Sequence, residues 1–415
     1  MRVSLQKSAL QSGQTVLISG SKSESNRLLV LQKLFPQLTI ENLADADDVV
    51  AMIQGLNAKD QLVNIHHAGT AMRFLTAYFA LCQEKKMVLE GSERMHNRPI
   101  GVLVEALRSL GAKIEYVDKE GYPPLSIEGI HAEGGVVSLP ATISSQYITA
   151  LLLVGSSLKK GLTVHLLGEI TSRPYIGMTL SLLNTLGVST TFKEQTITVH
   201  PPLKLKQTHF TVEADWSSAS YFYSFVALSP IGTTLRLGKY KSVSLQGDAA
   251  LAAIYEKLGV QTIFETDDFI QLIKKEIPQK AFISDFSHTP DLAQTVVVTC
   301  FGLGISCQIH GLHTLKIKET DRLVALQNEL KKLGGNLEIT VDAFLLSTSK
   351  TDRQSTDKQT TIGIDTYQDH RMAMAFAPLV VQMDLLIEEA EVVSKSYPKF
   401  WNDLRKLGIQ AIESV

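Results

Sequence analysis

The nine residues Leu103 to Gly111, LVEALRSLG, carry the pattern from which the architecture of this 415-residue chain can be read. Leu103, Leu107 and Leu110 fall at i, i+4 and i+7, one apolar face of a helix, and Gly111 supplies the left-handed position that stops it. The pair Leu-Gly recurs at 186–187, 258–259, 333–334 and 407–408, so the glycines are spaced by 76, 72, 75 and 74 residues. A period this regular marks an internal repeat. The same apolar spacing returns in Leu326/Leu330/Leu333 and Phe400/Leu404/Leu407. Past the glycine the residues alternate or are β-branched, as in Val188-Ser189-Thr190-Thr191-Phe192 and Val260-Gln261-Thr262-Ile263-Phe264, so each unit mixes helix with strand. One step back, Leu28 to Phe35 reads as a degenerate sixth copy ending near Pro36. Six units of about 70 residues predict an α/β protein of two domains, three units in each, with a site between them.

Composition narrows the class. Hydrophobic residues are 44% and charged residues 20% of the chain, with a formal charge of −2. These values exclude extended disorder and point to no nucleic-acid or membrane partner, so any positive site must be local. The start of the chain has no apolar signal region and no run approaches 18 uncharged apolar residues, which predicts a cytoplasmic protein. Cys82, Cys300 and Cys307 lack metal spacing and read as inert thiols. Polar, small-residue stretches suggest hinges near 19–21 and at 214–220, giving an N-terminal domain of 20–215 and a second domain of 1–19 plus 216–415. Residues 347 to 361 read as a solvated loop.

Polar groups suited to anions gather at predicted helix starts. His66-His67-Ala68-Gly69-Thr70-Ala71-Met72-Arg73 is a small-residue turn opening an apolar helix, where bare N–H groups and the helix dipole attract negative charge. Arg73 in that first turn calls for a negative partner. Ser21-Lys22-Ser23-Glu24-Ser25-Asn26-Arg27, Arg98-Pro99, Ser144-Ser145-Gln146 and Ser172-Arg173-Pro174-Tyr175 repeat the arrangement. The serines also suit simple capping, and the recurrence is what favours anions. In the second half, Pro290-Asp291 opens one helix and Lys318-Glu319-Thr320-Asp321-Arg322 the next, placing Lys318 and Arg322 one turn apart. Asp369-His370-Arg371 and Ser394-Lys395 precede two further helical segments.

Taken together, these segments resemble the EPSP synthase family of enolpyruvyl transferases along the whole chain. The resemblance rests on SKSESNR at 21–27, AGTAMR at 68–73, RPIG at 98–101, SSQ at 144–146, SRPY at 172–175, DWSSASY at 215–221, PD at 290–291, KETDR at 318–322 and DHRMAMA at 369–375. It implies a two-domain inside-out α/β barrel of six βαβαββ repeats, three per domain, with the active site in the interdomain cleft. It also implies transfer of the enolpyruvyl group of phosphoenolpyruvate to the 5-hydroxyl of shikimate 3-phosphate, by a monomer that needs no metal or organic cofactor. The matched positions assign catalysis to Asp291, Glu319 and Lys22. Shikimate 3-phosphate would be held by Lys22, Ser23, Arg27, Ser144, Ser145, Gln146, Ser172, Tyr175, Asp291 and Lys318. Phosphoenolpyruvate would be held by Lys22, Gly69, Arg98, Gln146, Arg322, Arg371 and Lys395. Glyphosate, a mimic of part of the phosphoenolpyruvate site, should inhibit.

The chain departs from the family pattern at His67, Thr314 and Gln368, each where Asn is usual. An imidazole at position 67 predicts pH-dependent phosphoenolpyruvate binding. The sister family acting on UDP-N-acetylglucosamine carries Lys-Asn in the first turn and usually a Cys before Arg-Pro, where this chain has Lys22-Ser23 and Glu93. A non-catalytic anion-binding repeat protein would not require Asp291 and Glu319.

Overall fold

Helix stops at the five repeat glycines are left-handed, with φ of 97° at Gly111, 108° at Gly187, 80° at Gly259, 82° at Gly334 and 85° at Gly408. A side chain there would clash with its own backbone, which is why the repeat is written in glycine. These geometries come from a computed structural model that describes residues 1–82, 84–142, 144–170, 173–266, 268–278, 281–340, 343–347 and 361–414.

Each glycine turns the chain into a strand of a small mixed sheet. Among the described residues, five four-stranded sheets share one pattern: a parallel pair, then two antiparallel neighbours. In the sheet that the opening stretch leads into, Leu62–Asn64 runs parallel to Lys86–Glu90, which pairs antiparallel with Leu125–Glu128, itself paired with Lys113–Tyr116. The parallel pair needs a crossover, and the helix Gly69–Cys82 provides it. The degenerate copy contributes only a two-stranded parallel pair among the described residues, Thr39–Glu41 with His209–Thr211.

Two compact units result: Gly20–Val212, and Met1–Ser19 together with Glu213–Val415. The second is completed by its N-terminal strands. Arg2–Gln6 lies between Leu385–Ile387 and Gln410–Ser414, and Gln14–Leu17 runs parallel to Thr234–Gly238. Each unit encloses its own apolar core. The stretch Ala214 to Ser220, where the sequence suggested a hinge, is the capped start of the helix Trp216–Leu228, with Asp215 accepting from the Ser218 N–H at 2.8 Å. No helix among the described residues is long and apolar enough to cross a membrane. Of the loop expected over 347 to 361, residues 348–360 lie outside the described residues.

Candidate active site

In the unit 20–212 the turn at His66 to Arg73 opens a helix. Gly69 begins the helix, and a Cβ placed on it would stand 2.5 Å from Arg98 Nη1. Only glycine lets that guanidinium lie against the backbone. Gln146 Nε2 donates to Thr70 Oγ1 at 3.1 Å, tying the helix Ser145–Gly155 to the same turn. Arg73 is buried, and its guanidinium donates to the carbonyls of Gly69 (3.4 Å) and Pro99 (2.7 Å) and lies 5.8 Å from the Tyr147 ring. Carbonyl dipoles are thus among the partners of its charge. His67 is exposed.

The helix Lys22–Leu34 is capped by Ser21, whose side chain accepts from Glu24 N–H. Lys22 Nζ stands 3.2 Å from Asp48 Oδ2, a buried carboxylate at the start of the helix Asp47–Leu56. Arg27 is held in the interior by Ser23 O (2.7 Å), Thr179 Oγ1 (2.9 Å) and Tyr175 O (3.3 Å). Burial lowers its pKa to about 10, so it stays charged at neutral pH. Ser144 caps the next helix by accepting from Gln146 N–H at 3.3 Å. Ser23, Ser144, Gln146 and Tyr175 are half-buried and Ser145 is buried. Ser172 lies outside the described residues.

The second unit gathers its predicted residues around Arg322, whose side chain is only 2% exposed. Its Nε donates to Asp369 Oδ2 at 2.6 Å, Nη1 to Asp291 Oδ1 at 2.9 Å and Nη2 to Glu319 Oε2 at 2.7 Å. Glu319 accepts a second cation through Lys395 Nζ at 2.9 Å, and Asp291 Oδ2 lies 3.0 Å from Arg371 Nη2. Lys318 Nζ is 3.8 Å from Asp291 Oδ1 and stays 30% exposed. Burial favours a neutral Asp291, but Arg371, Lys318 and Arg322 outweigh it and hold the carboxyl well below the usual range. Asp291 raises the Lys318 pKa, yet burial and Arg322 outweigh that and leave it lowered.

Lys318 and Arg322 do not share a helix as the sequence implied. Asp321 caps a helix that starts only at Arg322, accepting from Leu323 and Val324 N–H at 3.1 and 3.2 Å. The cap takes the first turn, so Lys318 and Glu319 are presented from the preceding segment, after the 3-10 turn His313–Ile317. Sequence reasoning also missed three acidic partners: Asp369, Asp48 and Asp248. Asp369 stood inside a quoted motif, and it both pairs with Arg322 and caps the helix His370–Phe376 through Arg371 N–H at 2.9 Å. Asp248 accepts from Ser217 Oγ, which lies 3.4 Å from Arg371 Nη2.

Four cations (Lys318, Arg322, Arg371, Lys395) crowd against three carboxylates (Asp291, Glu319, Asp369), with Asp248 reaching Arg371 through Ser217, so cationic donors and carboxylates stand side by side. Such a site attracts an anion and holds carboxylates able to exchange protons near it. Among the described residues no group of His, Cys, Asp and Glu is placed to hold a metal ion.

Comparison with known proteins decides the family. The sequence model described as EPSP synthase (3-phosphoshikimate 1-carboxyvinyltransferase) matches residues 54–404. The chain belongs to the EPSP synthase family. A 3-phosphoshikimate 1-carboxyvinyltransferase of Bacteroides fragilis (strain YCH46) is 45% identical over 396 residues, covering 95% of both chains. One from Aliivibrio salmonicida (strain LFI1238) is 35% identical over 425 residues, covering 94% of this chain and 96% of its own. The solved EPSP synthase of Acinetobacter baumannii superposes with a TM-score of 0.76 at 20% identity, over 99% of this chain and 100% of its own, which shows the shared fold.

Proposed function

We propose that this protein transfers the enolpyruvyl group of phosphoenolpyruvate to the 5-hydroxyl of shikimate 3-phosphate, releasing inorganic phosphate. The observation that carries the reading is Arg322 forked onto Asp291, Glu319 and Asp369 amid three further cations, within a chain of this family. The two substrates bring two phosphates and two carboxylates, and each charge-assisted hydrogen bond to them is worth roughly 1.5–3 kcal/mol. Phosphoenolpyruvate falls to Lys22, Gly69, Arg98, Gln146, Arg322, Arg371 and Lys395. Shikimate 3-phosphate falls to Lys22, Ser23, Arg27, Ser144, Ser145, Gln146, Ser172, Tyr175, Asp291 and Lys318.

The reaction needs two proton movements. The 5-hydroxyl oxygen attacks C2 of phosphoenolpyruvate and loses its proton to Asp291, while the methylene carbon gains one through Glu319 with Lys22. The tetrahedral intermediate then expels phosphate with its bridging oxygen, and the methyl carbon returns a proton. Asp291 is a weak base while Arg371, Lys318 and Arg322 neutralise it. An arriving anion draws on those same cations and so raises Asp291 towards the range where it accepts a proton. Binding of the acidic substrate thus switches on the base.

We infer a monomer working in the cytoplasm; light scattering should return the 45.6 kDa chain mass. Incubating the protein with both substrates and following phosphate release tests the activity. Turnover that requires both substrates supports it, and release without shikimate 3-phosphate, or none at all, overturns it.

A further inference from the structure

Asp248 is a buried carboxylate outside every role given above. It sits in the short 3-10 turn Gly247–Ala250 and is 5% exposed. Its Oδ2 accepts from Ser217 Oγ, and its Oδ1 finds no hydrogen-bond partner among the described residues. A carboxyl left half unsatisfied in the interior costs stability, so a purely structural residue here would be better as an apolar one. Ser217 is in the first turn of the helix Trp216–Leu228, and its oxygen also stands 3.4 Å from Arg371 Nη2. Arg371 in turn donates to the Asp291 carbonyl at 3.1 Å and lies 3.0 Å from its carboxylate.

A single line therefore runs from Asp248 through Ser217 to Arg371 and Asp291. We infer that Asp248 and Ser217 form a positioning relay: Asp248 orients the Ser217 hydroxyl so that its lone pair faces Arg371, which fixes the guanidinium against Asp291. The serine hydroxyl has one proton, and Asp248 decides where it points. With that proton directed at Asp248, the oxygen is free to accept from Arg371; without the carboxylate the hydroxyl rotates and presents hydrogen to a cation. Neither residue touches the reacting atoms. The relay acts through Arg371, and it rests on the proposed function only for its kinetic consequence.

The test uses the full chain with Asp248→Ala, Asp248→Asn, Ser217→Ala, Ser217→Thr and the double variant Asp248→Ala/Ser217→Ala. Asp248→Ala and Ser217→Ala should each lower kcat about tenfold, as expected when one hydrogen bond to a charged group is misplaced. The double variant should be no slower than either single, because one relay is broken once. Asp248→Asn, which still accepts from Ser217, and Ser217→Thr, which keeps the hydroxyl, should recover most of the loss. Independently of turnover, the Arg371 Nε–H signal in NMR, assigned by its loss in Arg371→Lys, should exchange about tenfold faster in Asp248→Ala once its anchoring is released. Losses that multiply in the double variant, or an Arg371 signal unchanged in Asp248→Ala, would overturn the relay. An unmutated chain without turnover would instead sink the proposed function and leave the NMR result to decide the relay.

Discussion

Replacing Arg322 with lysine separates charge from geometry in the ion-pair cluster of the second unit. The guanidinium makes three charge-assisted hydrogen bonds, at 2.6, 2.9 and 2.7 Å, to carboxylates on three segments. A lysine keeps the charge but reaches one of them well, so two bonds worth roughly 1.5–3 kcal/mol each are lost. Rearrangement of Lys318, Arg371 and Lys395 recovers part of this, which leaves a net cost of about 3 kcal/mol, the low end for breaking a buried ion pair. Arg322→Met should be worse, because it takes a cation from all three carboxylates and leaves Asp369 without its guanidinium, while Asp291 and Glu319 keep Arg371 and Lys395. Both tryptophans, Trp216 and Trp401, are buried in this unit. Their fluorescence during urea unfolding therefore reports it directly. A lysine variant within about 0.5 kcal/mol of the parent, or a methionine variant as stable as the parent, would refute the reasoning that the fork organises the cluster.

Gly69→Ala puts a methyl 2.5 Å from Arg98 Nη1; since Arg98 is the flexible partner, we expect stability within about 0.5 kcal/mol of the parent and a phosphoenolpyruvate KM raised about tenfold, checked by calorimetric melting and steady-state kinetics. Burial first, and then the Asp291 charge, push Asp248 up to about 7, with Asp215 adding to them and Ser217 and Arg371 opposing. Its folded pKa exceeds its unfolded one, so its contribution is present at pH below about 4 and is lost as pH rises to 7. Asp248→Asn should therefore stabilise the protein more at pH 8 than at pH 5, by an increment on the order of 1–3 kcal/mol, and an offset that does not change with pH would contradict this. Asp291, held well below the usual range, has the opposite sign: its contribution is present above about pH 4 and fades as pH falls, so Asp291→Asn should cost less at pH 3 than at pH 7 in the same urea experiment. His67→Asn should flatten the pH profile of the phosphoenolpyruvate KM, and an unchanged profile would show that the imidazole takes no part.

The repeat was legible because a left-handed glycine after a leucine is a local necessity, and Gly111, Gly187, Gly259, Gly334 and Gly408 all adopt it. The helix starts around Lys22 and Ser145 were legible for another local reason, the serines at 21 and 144 that cap them. Hidden from the sequence are partners fixed by tertiary packing. Asp369 is 47 residues from Arg322, and Asp248 is 31 from Ser217; no periodicity links either pair. Lys318 was misplaced because Asp321 competes for the same first turn as a cap, and capping won. The Pro99 carbonyl that Arg73 donates to was equally hidden, because carbonyl oxygens are present everywhere and say nothing until folded.

Phosphate release from phosphoenolpyruvate, measured for the parent and for Glu319→Gln and Asp291→Asn, tests the central claim most directly. The account predicts turnover by the parent only when shikimate 3-phosphate is present, and losses of at least about a hundredfold in kcat for each variant, the range expected on removing a general acid or base. A parent that releases no phosphate, or variants as fast as the parent, would contradict it.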